Sequence, residues 1–269
     1  MNSTLEIMRF TTLEIVRMRV FHVLIAGAFL LPITALVFSN LFLFEIAKVQ
    51  ADVLIAGARI LATVYTLFVA VTLLGRDIGQ KVCHLFLAPP LSRFSYLTGR
   101  FIGLLIGLFL LMLVVMITSE ASLLLTLNPD GEYGRNALPW HTGLSLAGFT
   151  FYQHISLLAA VLLICTWATG LAEMLLFSVA LLLITWIVPP IILALQAPDV
   201  TSQFPTAVAA LIETVGMILP QLNGGNIGLA LAHGFPISYS DIAWHLLEHT
   251  AYAFMMFGLA LQVFSRRDL

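Results

Sequence analysis

The stretch FIGLLIGLFLLMLVVMITSEASLLL, residues 101–125, decides the fold, and Glu120 is its only charged residue. A helix that crosses a bilayer needs about 20 predominantly apolar residues. Residues 101–125 therefore predict a transmembrane helix. Five further stretches meet the same criterion: Val20–Leu43, Val53–Leu74, Leu146–Thr169, Met174–Leu195 and Ile242–Phe264. We predict an all-α polytopic membrane protein with six spans in one domain, residues 1–269.

Composition supports the same class. The chain is 60% hydrophobic and 10% charged, whereas soluble domains carry about 25% charged residues. Too few charges are present to cover a water-facing surface, so lipid is the expected solvent. The net charge of −2 and the lack of a basic run give no reason to expect a nucleic-acid partner. Two cysteines, Cys83 and Cys165, are too few for a disulfide framework or a thiolate metal site, and we interpret both as small apolar fillers.

Basic residues predict the orientation. Nine of the twelve Lys and Arg residues lie before the first span, between the second and third, or after the sixth. Cytoplasmic loops are enriched in Lys and Arg, so both termini are expected in the cytosol, with the chain in the cytoplasmic (inner) membrane. Met1–Arg19 alternates polar and apolar residues and does not resemble a cleavable signal peptide.

The N-terminal segment predicts an amphipathic helix. Leu5, Met8, Thr12, Ile15 and Val16 recur at three- and four-residue steps. We expect residues 1–19 to form an interfacial helix with this face toward lipid. The alternative is a cytosolic extension of the first span. The spacings Glu6–Arg9 and Glu14–Arg17 predict ion pairs along the helix.

Proline and glycine mark special points in the spans. Pro32 is expected to kink the first span, and Pro189–Pro190 to break or bend the fifth near its end. Gly103 and Gly107 form a G-x-x-x-G pattern, which favours close helix packing. Whether its partner is a second copy is left open.

The loop 196–241 lies on the predicted external side. Pro205 and Pro220 bracket an apolar segment, Thr206–Leu219. It is too short to cross a bilayer, so we interpret it as a re-entrant or interfacial helix.

The ionisable candidates in or beside the predicted spans are Arg59, Glu120, His154, Glu173 and Glu248. Arg59 and Glu120 both fall toward the outer ends of their spans, and Glu173 lies at the cytosolic turn before the fifth. Such residues are costly in lipid and usually face a bundle interior or a water-filled cavity. Structural pairing of Arg59 with Glu120 is favoured over substrate binding.

His245, Glu248 and His249 match the H-x-x-E-H pattern of some zinc proteases. On a helix, the two histidines share a face that suits zinc. A third ligand would have to come from a distant residue such as His141, His154 or Glu120. We favour a structural polar cluster with no metal, and keep substrate contact, metal contact and an intramembrane metalloenzyme as alternatives.

The segment 75–100, GRDIGQKVCHLFLAPPLSRFSYLTGR, joins the second and third spans on the basic side. It is half apolar yet charged. Asp77–Leu87 predicts a short helix that ends before Pro89–Pro90. Ser92 is expected to cap a helix that continues into the third span. A short helix at the membrane surface suits the docking of a cytosolic partner.

This segment resembles the coupling region of ABC-2 type permeases, including the branch with permeases of nitrous-oxide-reductase maturation exporters. The matching motifs are Arg76-Asp77-Ile78, Leu85-Phe86-Leu87, Pro90-Leu91-Ser92-Arg93 and Tyr96-Leu97-Thr98-Gly99-Arg100. The C-terminal Phe264-Ser265-Arg266-Arg267-Asp268-Leu269 is similar to the closing motif of that family. Two further stretches resemble the segment that precedes the last helix in that branch of the family, namely Leu219–Asn223 and His233–Ser238.

The resemblance implies an exporter permease, not an enzyme, that works with a separate ATPase. Two permeases, as a homodimer or a heterodimer, would each dock one ATPase through segment 75–100. No GxxxxGK[ST] phosphate loop is present, so ATP would be bound by the partner. The residues expected at the ATPase contact are Asp77, Lys81, His84, Leu87 and Arg93. Competing hypotheses are a secondary transporter, the metalloenzyme above, and a membrane scaffold.

Overall fold

The computed structural model describes residues 3–42, 45–79, 92–126, 138–195, 205, 207–208, 210–211, 214 and 227–267. Within these residues the secondary structure is helical, with no strand. In chain order, the helices are α1 (Ser3–Arg17), α2 (Arg19–Ser39), α3 (Ile46–Val64), α4 (Val71–Gly79), α5 (Arg93–Leu124), α6 (Thr142–Trp167), α7 (Leu171–Leu195), α8 (Ile227–Ala232) and α9 (Tyr239–Arg266). A π-helical segment, Tyr65–Ala70, joins α3 to α4 without a break.

Six helical segments are long and apolar enough to cross a membrane. They are α2, the continuous α3–α4, α5, α6, α7 and α9, which we call spans one to six. The prediction of an all-α polytopic membrane protein is confirmed. Many large apolar side chains on these helices face outward, among them Phe29, Phe109 and Phe254. Such a surface is compatible with hydrocarbon and not with water.

Spans two, three and four form the centre of the bundle. The most apolar windows of spans two and four are 56% and 61% buried, whereas that of span six is 17% buried. Span six packs mainly against span four, and span one against spans two and three. Span five packs against span four and against the π-helical segment and α4 of span two. The peripheral spans therefore present most of the lipid-facing surface.

The N-terminal helix α1 packs along span three rather than standing apart from the bundle. Three glycines on span three make room for it, namely Gly99, Gly103 and Gly107. A Cβ atom on Gly107 would meet Ile15 as well as the Tyr65 hydroxyl. A Cβ atom on Gly99 would meet Ile7, and one on Gly103 would meet Thr11. The paired positions advance together along both helices, so α1 runs parallel to the first turns of span three.

The buried face of α1 differs from the predicted one. Ile7, Thr11 and Ile15 are buried, whereas Leu5 and Val16 are exposed. Of the five residues predicted on the lipid-facing side, Ile15 is instead buried against span three. The placement of α1 in the membrane interface stays a prediction. The G-x-x-x-G pattern does mediate close packing, as predicted, and its partner at Gly103 is α1.

None of these prolines ends its helix. Pro32 lies inside α2, and Pro189–Pro190 lie inside α7, which continues to Leu195. A break at the double proline is therefore not observed. Neighbouring helices and local adjustments tolerate proline within membrane spans. In span two, the π-helical segment places the Tyr65 hydroxyl 2.7 Å from the Leu104 carbonyl oxygen, to which it donates.

One end of the bundle contains α1, the start of span three and the ends of spans two, four and six. We call it the basic end. Ser92 caps α5 as predicted, since its hydroxyl accepts a hydrogen bond from the Ser95 amide at 3.0 Å. The predicted short helix after Asp77 lies largely outside the described residues. So does most of the predicted re-entrant segment Thr206–Leu219.

Polar contacts also close the opposite end of the bundle. Gln50 bonds to Ser122 and Thr126 at 3.0 and 2.7 Å, which joins spans two and three. Asp52 accepts a bond from His233 at 2.8 Å. These contacts fix the helix ends where the apolar surface gives way to water.

Candidate functional site: a buried ion-pair network and a histidine cluster

A buried network at the basic end is centred on Arg100, in the third turn of α5. Its guanidinium forms ion pairs with Asp77 at the end of span two and with Glu14 on α1, the latter at 2.8 Å. Arg76 forms a further ion pair with Glu14. The Tyr96 hydroxyl donates to the Asp77 carboxylate at 2.7 Å. Two arginines and two carboxylates thereby join three separate parts of the chain.

Burial makes this network costly to break. The side chains of Arg100 and Asp77 are each 1% exposed. A charge buried away from water is tolerated only when it is paired and hydrogen-bonded, and removing one partner costs about 3–5 kcal/mol. Arg100 also donates to the Thr11 hydroxyl at 3.2 Å. The network therefore holds α1, span two and span three in one arrangement.

Sequence spacing explains how the network assembles. Tyr96 and Arg100 are four residues apart on α5 and so share a face. Thr11 and Glu14 are three apart on α1 and share a face in the same way. Gly99 lacks a side chain beside Arg100, which lets the α1 backbone approach closely: a Cβ there would lie 2.9 Å from the Thr4 carbonyl oxygen. The arginine can then reach across α1 to Glu14.

Arg93 binds the end of span six. Its Nη1 atom donates to the carbonyl oxygens of Phe264, Ser265 and Arg267, at 3.3, 2.6 and 3.1 Å. The last carbonyl groups of a helix lack partners within the helix and carry partial negative charge. Arg267 in turn donates to the Thr166 carbonyl oxygen of span four at 2.8 Å. The C-terminal end is thus fixed to spans three and four.

Replacing Arg93 with alanine is expected to loosen this end. Hydrogen bonds from a charged group contribute about 1.5–3 kcal/mol, so hydrogen exchange in the last turn of α9 should accelerate by about tenfold. Exchange mass spectrometry of the C-terminal peptide measures it. The exposed neighbour Arg266 provides the matched Arg266→Ala control, for which we expect no change. Equal acceleration in both variants would contradict the capping role.

Two of the five residues predicted at an ATPase contact are described, and both have partners inside the chain. Asp77 is buried in the network, which differs from the exposed contact expected of it. The guanidinium of Arg93 is occupied by carbonyl groups of span six. Lys81, His84 and Leu87 lie outside the described residues. The expectation that segment 75–100 contacts an ATPase stays a prediction.

Neither a protein-family model nor any curated protein matches this chain. The functional interpretation therefore depends on the residues themselves.

A second polar cluster lies among spans two, four and six. His154 is 3% exposed and forms two hydrogen bonds. Its Nδ1 lies 2.8 Å from the Thr150 carbonyl oxygen, and its Nε2 lies 3.2 Å from the Thr63 hydroxyl. Because a carbonyl only accepts, Nδ1 carries the proton and Thr63 donates to Nε2. His154 is thus a satisfied residue of the bundle interior.

The protonation of His249 follows from a similar count of hydrogen-bond donors and acceptors. The single Ser156 hydroxyl proton is donated to the Gln153 carbonyl oxygen at 2.7 Å. The same hydroxyl oxygen lies 2.9 Å from His249 Nδ1. We assign the proton of His249 to Nδ1, because the Ser156 hydroxyl proton is already donated to Gln153. Neutral His249 therefore keeps an open lone pair on Nε2, and this atom has no hydrogen-bond partner among the described residues.

The H-x-x-E-H residues only partly converge. The rings of His245 and His249 have centroids 4.5 Å apart, and both side chains are buried. Glu248 is half-buried. Within the described chain, no group of three or more His, Cys, Asp or Glu residues is arranged to hold a metal ion. The cluster gives no three-ligand zinc site there.

The predicted pair of Arg59 and Glu120 is not formed among the described residues. Glu120 accepts a hydrogen bond from the Gly143 amide at 2.9 Å, which ties span three to the start of span four. Arg59 is partly buried, and its Nε atom has no hydrogen-bond partner in that part of the chain. Both described residues had been placed near the same level from sequence, but Glu120 bonds to the start of span four and forms no ion pair with Arg59.

Sequence reasoning missed the centre of the network. Arg100, Tyr96 and Glu14 were interpreted as motif or surface residues. A usable signal was present: Arg100 lies four residues after Tyr96 and directly before an apolar stretch of more than 20 residues. A charge so close to lipid needs a partner.

Proposed function

We propose that this chain is the permease subunit of an ATP-binding cassette exporter, which moves its cargo across the cytoplasmic membrane with energy from a separate ATPase. The observation that carries the proposal is the network around Arg100. It joins the end of span two to the start of span three, the two helices that segment 80–91 connects. A force applied to that segment would reach both spans and α1 together.

Three further features support the proposal. Six helices among the described residues are long and apolar enough to cross a membrane. The motifs of segment 75–100 resemble those of ABC-2 type permeases. The basic residues cluster where a cytosolic partner would dock, with both termini on that side. Two ATPase copies and a second permease, most simply a homodimer, complete the proposed assembly.

The mechanism we propose is mechanical. ATP binding would bring two ATPase subunits together and displace segment 80–91. Asp77 and Arg100 hold spans two and three rigidly at its two ends, so the displacement would tilt both spans instead of bending the connection. Arg93 would carry the same motion to span six through its bonds to the helix end. These residues act by position, and none is assigned a chemical step.

The test is association with an ABC-type ATPase encoded beside this gene. A tagged chain should retain the ATPase through purification in detergent, and the pair should hydrolyse ATP faster than the ATPase alone. Absence of a stable complex and of stimulated hydrolysis would remove the proposal.

Charge reversal at Lys81 is expected to weaken this association by about tenfold, which corresponds to about 1.4 kcal/mol. Lys81 lies in segment 80–91, where the proposed partner carries the complementary charge. Lys48→Glu is the matched control, since Lys48 lies at the opposite end of the bundle beside Glu45. Titration of labelled ATPase against each variant in nanodiscs gives the two affinities. A similar loss in both variants would contradict docking through this segment.

A further inference from the structure

An apolar groove of about 360 Å³ runs between spans three, four and six. Phe101 and Leu105 line it from span three, Ile155 from span four, and His249, Ala253 and Phe257 from span six. Its volume lies at the lower end of the range for ligand pockets, about 300–1,000 Å³. It extends from the basic end toward the middle of the bundle.

The position of the groove determines what can enter it. Phe254 lies on its rim and is 73% exposed. All three helices that form it are membrane spans, so the medium outside the rim is hydrocarbon. The rings of Phe101 and Phe257 stack with centroids 5.0 Å apart and fix one wall. An occupant would therefore arrive from the bilayer and be apolar along most of its length.

Thr98, Tyr152, His249 and Thr250 are the polar residues that line the groove. Tyr152 and Thr250 bond to each other, whereas Thr98 Oγ1 and His249 Nε2 have no hydrogen-bond partner among the described residues. A hydroxyl can accept from the first of these two atoms and donate to the second. His249 lines it, is 1% exposed, and has an open lone pair on Nε2 because Nδ1–H donates to Ser156. Leaving a buried acceptor unsatisfied costs about 1–3 kcal/mol. A hydrogen-bond donor supplied by an occupant would remove this cost. The complementary group is a hydroxyl, because a carbonyl or ether oxygen cannot donate.

We propose that this groove binds a single-chain amphiphile that carries a hydroxyl group. The hydrocarbon chain packs against Phe101 and Phe257, and the hydroxyl donates to His249 Nε2. This proposal names a class of cargo for the proposed exporter. Only the statement that the amphiphile is the cargo rests on the exporter function. Binding itself requires no ATPase.

The first test is photolabelling of the purified full chain in nanodiscs with a long-chain fatty alcohol that carries a diazirine. Ala253→Trp fills the groove, whereas Ala251→Trp places the same ring on the exposed side of the same helix. We expect labelling of the peptide that contains Phe257 to fall at least tenfold in Ala253→Trp and to persist in Ala251→Trp. Equal labelling of both would mean annular lipid only and would overturn the proposal.

The second test concerns the hydroxyl. The alcohol probe should compete better than the matching diazirine alkane, by about three- to tenfold for one hydrogen bond. His249→Phe should abolish this preference, and His245→Phe should preserve it. If both variants lose the preference for the alcohol equally, the two imidazoles act together, for example by sharing a metal ion. The assignment of the hydroxyl to His249 Nε2 then fails. Crosslinking of the chain to a second copy at the groove, with no probe bound, would also overturn it.

The outcomes separate this proposal from the exporter function. Labelling that follows the predicted pattern, with no ATPase association, would leave an amphiphile-binding membrane protein and remove the exporter. An ATPase complex without groove labelling would leave the exporter and remove the groove as its cargo site.

Discussion

Replacing Arg100 with leucine is expected to destabilise the folded chain by about 3–5 kcal/mol, because Asp77 would then be a buried carboxylate without its cationic partner. For a chain of this size, that corresponds to a fall in melting temperature of roughly 10 °C. Thermal unfolding in detergent, followed by intrinsic fluorescence, measures it. Arg19→Leu is the matched control, since Arg19 is exposed at the start of α2 and its loss should change the melting temperature little.

A double variant distinguishes the buried charge from a general packing defect. Asp77→Asn combined with Arg100→Leu removes both charges, so the stability should recover part of the loss. The two single effects would then be strongly non-additive, as contacting residues are. Additive losses would show that Asp77 and Arg100 do not stabilise each other, and the proposed rigid link between spans two and three would fail with them.

Replacing Gly103 with leucine is expected to displace α1 from span three. A Cβ atom at this position would lie 2.5 Å from Thr11 Cβ and 3.0 Å from the Met8 carbonyl oxygen. Backbone cannot move aside as a flexible side chain can, so α1 must shift, at a cost of about 1–3 kcal/mol. The shift also moves Glu14 away from Arg100.

Limited proteolysis measures this displacement. Arg9 and Arg17 are exposed on α1, but trypsin needs a locally unfolded chain to cleave there. Cleavage in Gly103→Leu should be at least about tenfold faster than in the unchanged chain. Gly258→Leu is the matched control on span six, because nothing lies within 4 Å of a Cβ at that position. Equal rates for the two variants would contradict the packing of α1 in the glycine groove.

The spans were predictable because their signal is local. Residues 101–125 have one charge and enough length, so no knowledge of neighbours is needed to place them in lipid. The start of span three at Arg93 was predictable for the same reason, through the cap at Ser92. The proline pair shows the limit. Pro189–Pro190 predict a break or a bend, and no break occurs, since α7 continues to Leu195.

The polar sites were less predictable because each depends on a partner far away in sequence. Glu14 was assigned to Arg17 by helical spacing, yet its partners are Arg76 and Arg100. Arg59 and Glu120 were paired by depth alone, and depth does not determine which way a side chain points. His249 was recognised by its motif, but its open Nε2 atom becomes visible only through Ser156 and Gln153 on another span.

The packing of α1 also imposes an order on biosynthesis. This helix is synthesised before its docking surface, around Gly99 and Gly103, which is made about 90 residues later. At about 5–20 residues per second, the wait is roughly 5–18 seconds. During that interval the newborn helix must rest on the membrane surface, with Ile7 and Ile15 toward lipid and Glu14 toward water. Arrival of Arg100 then draws it into place, so α1 can reach its final position only after span three has been made.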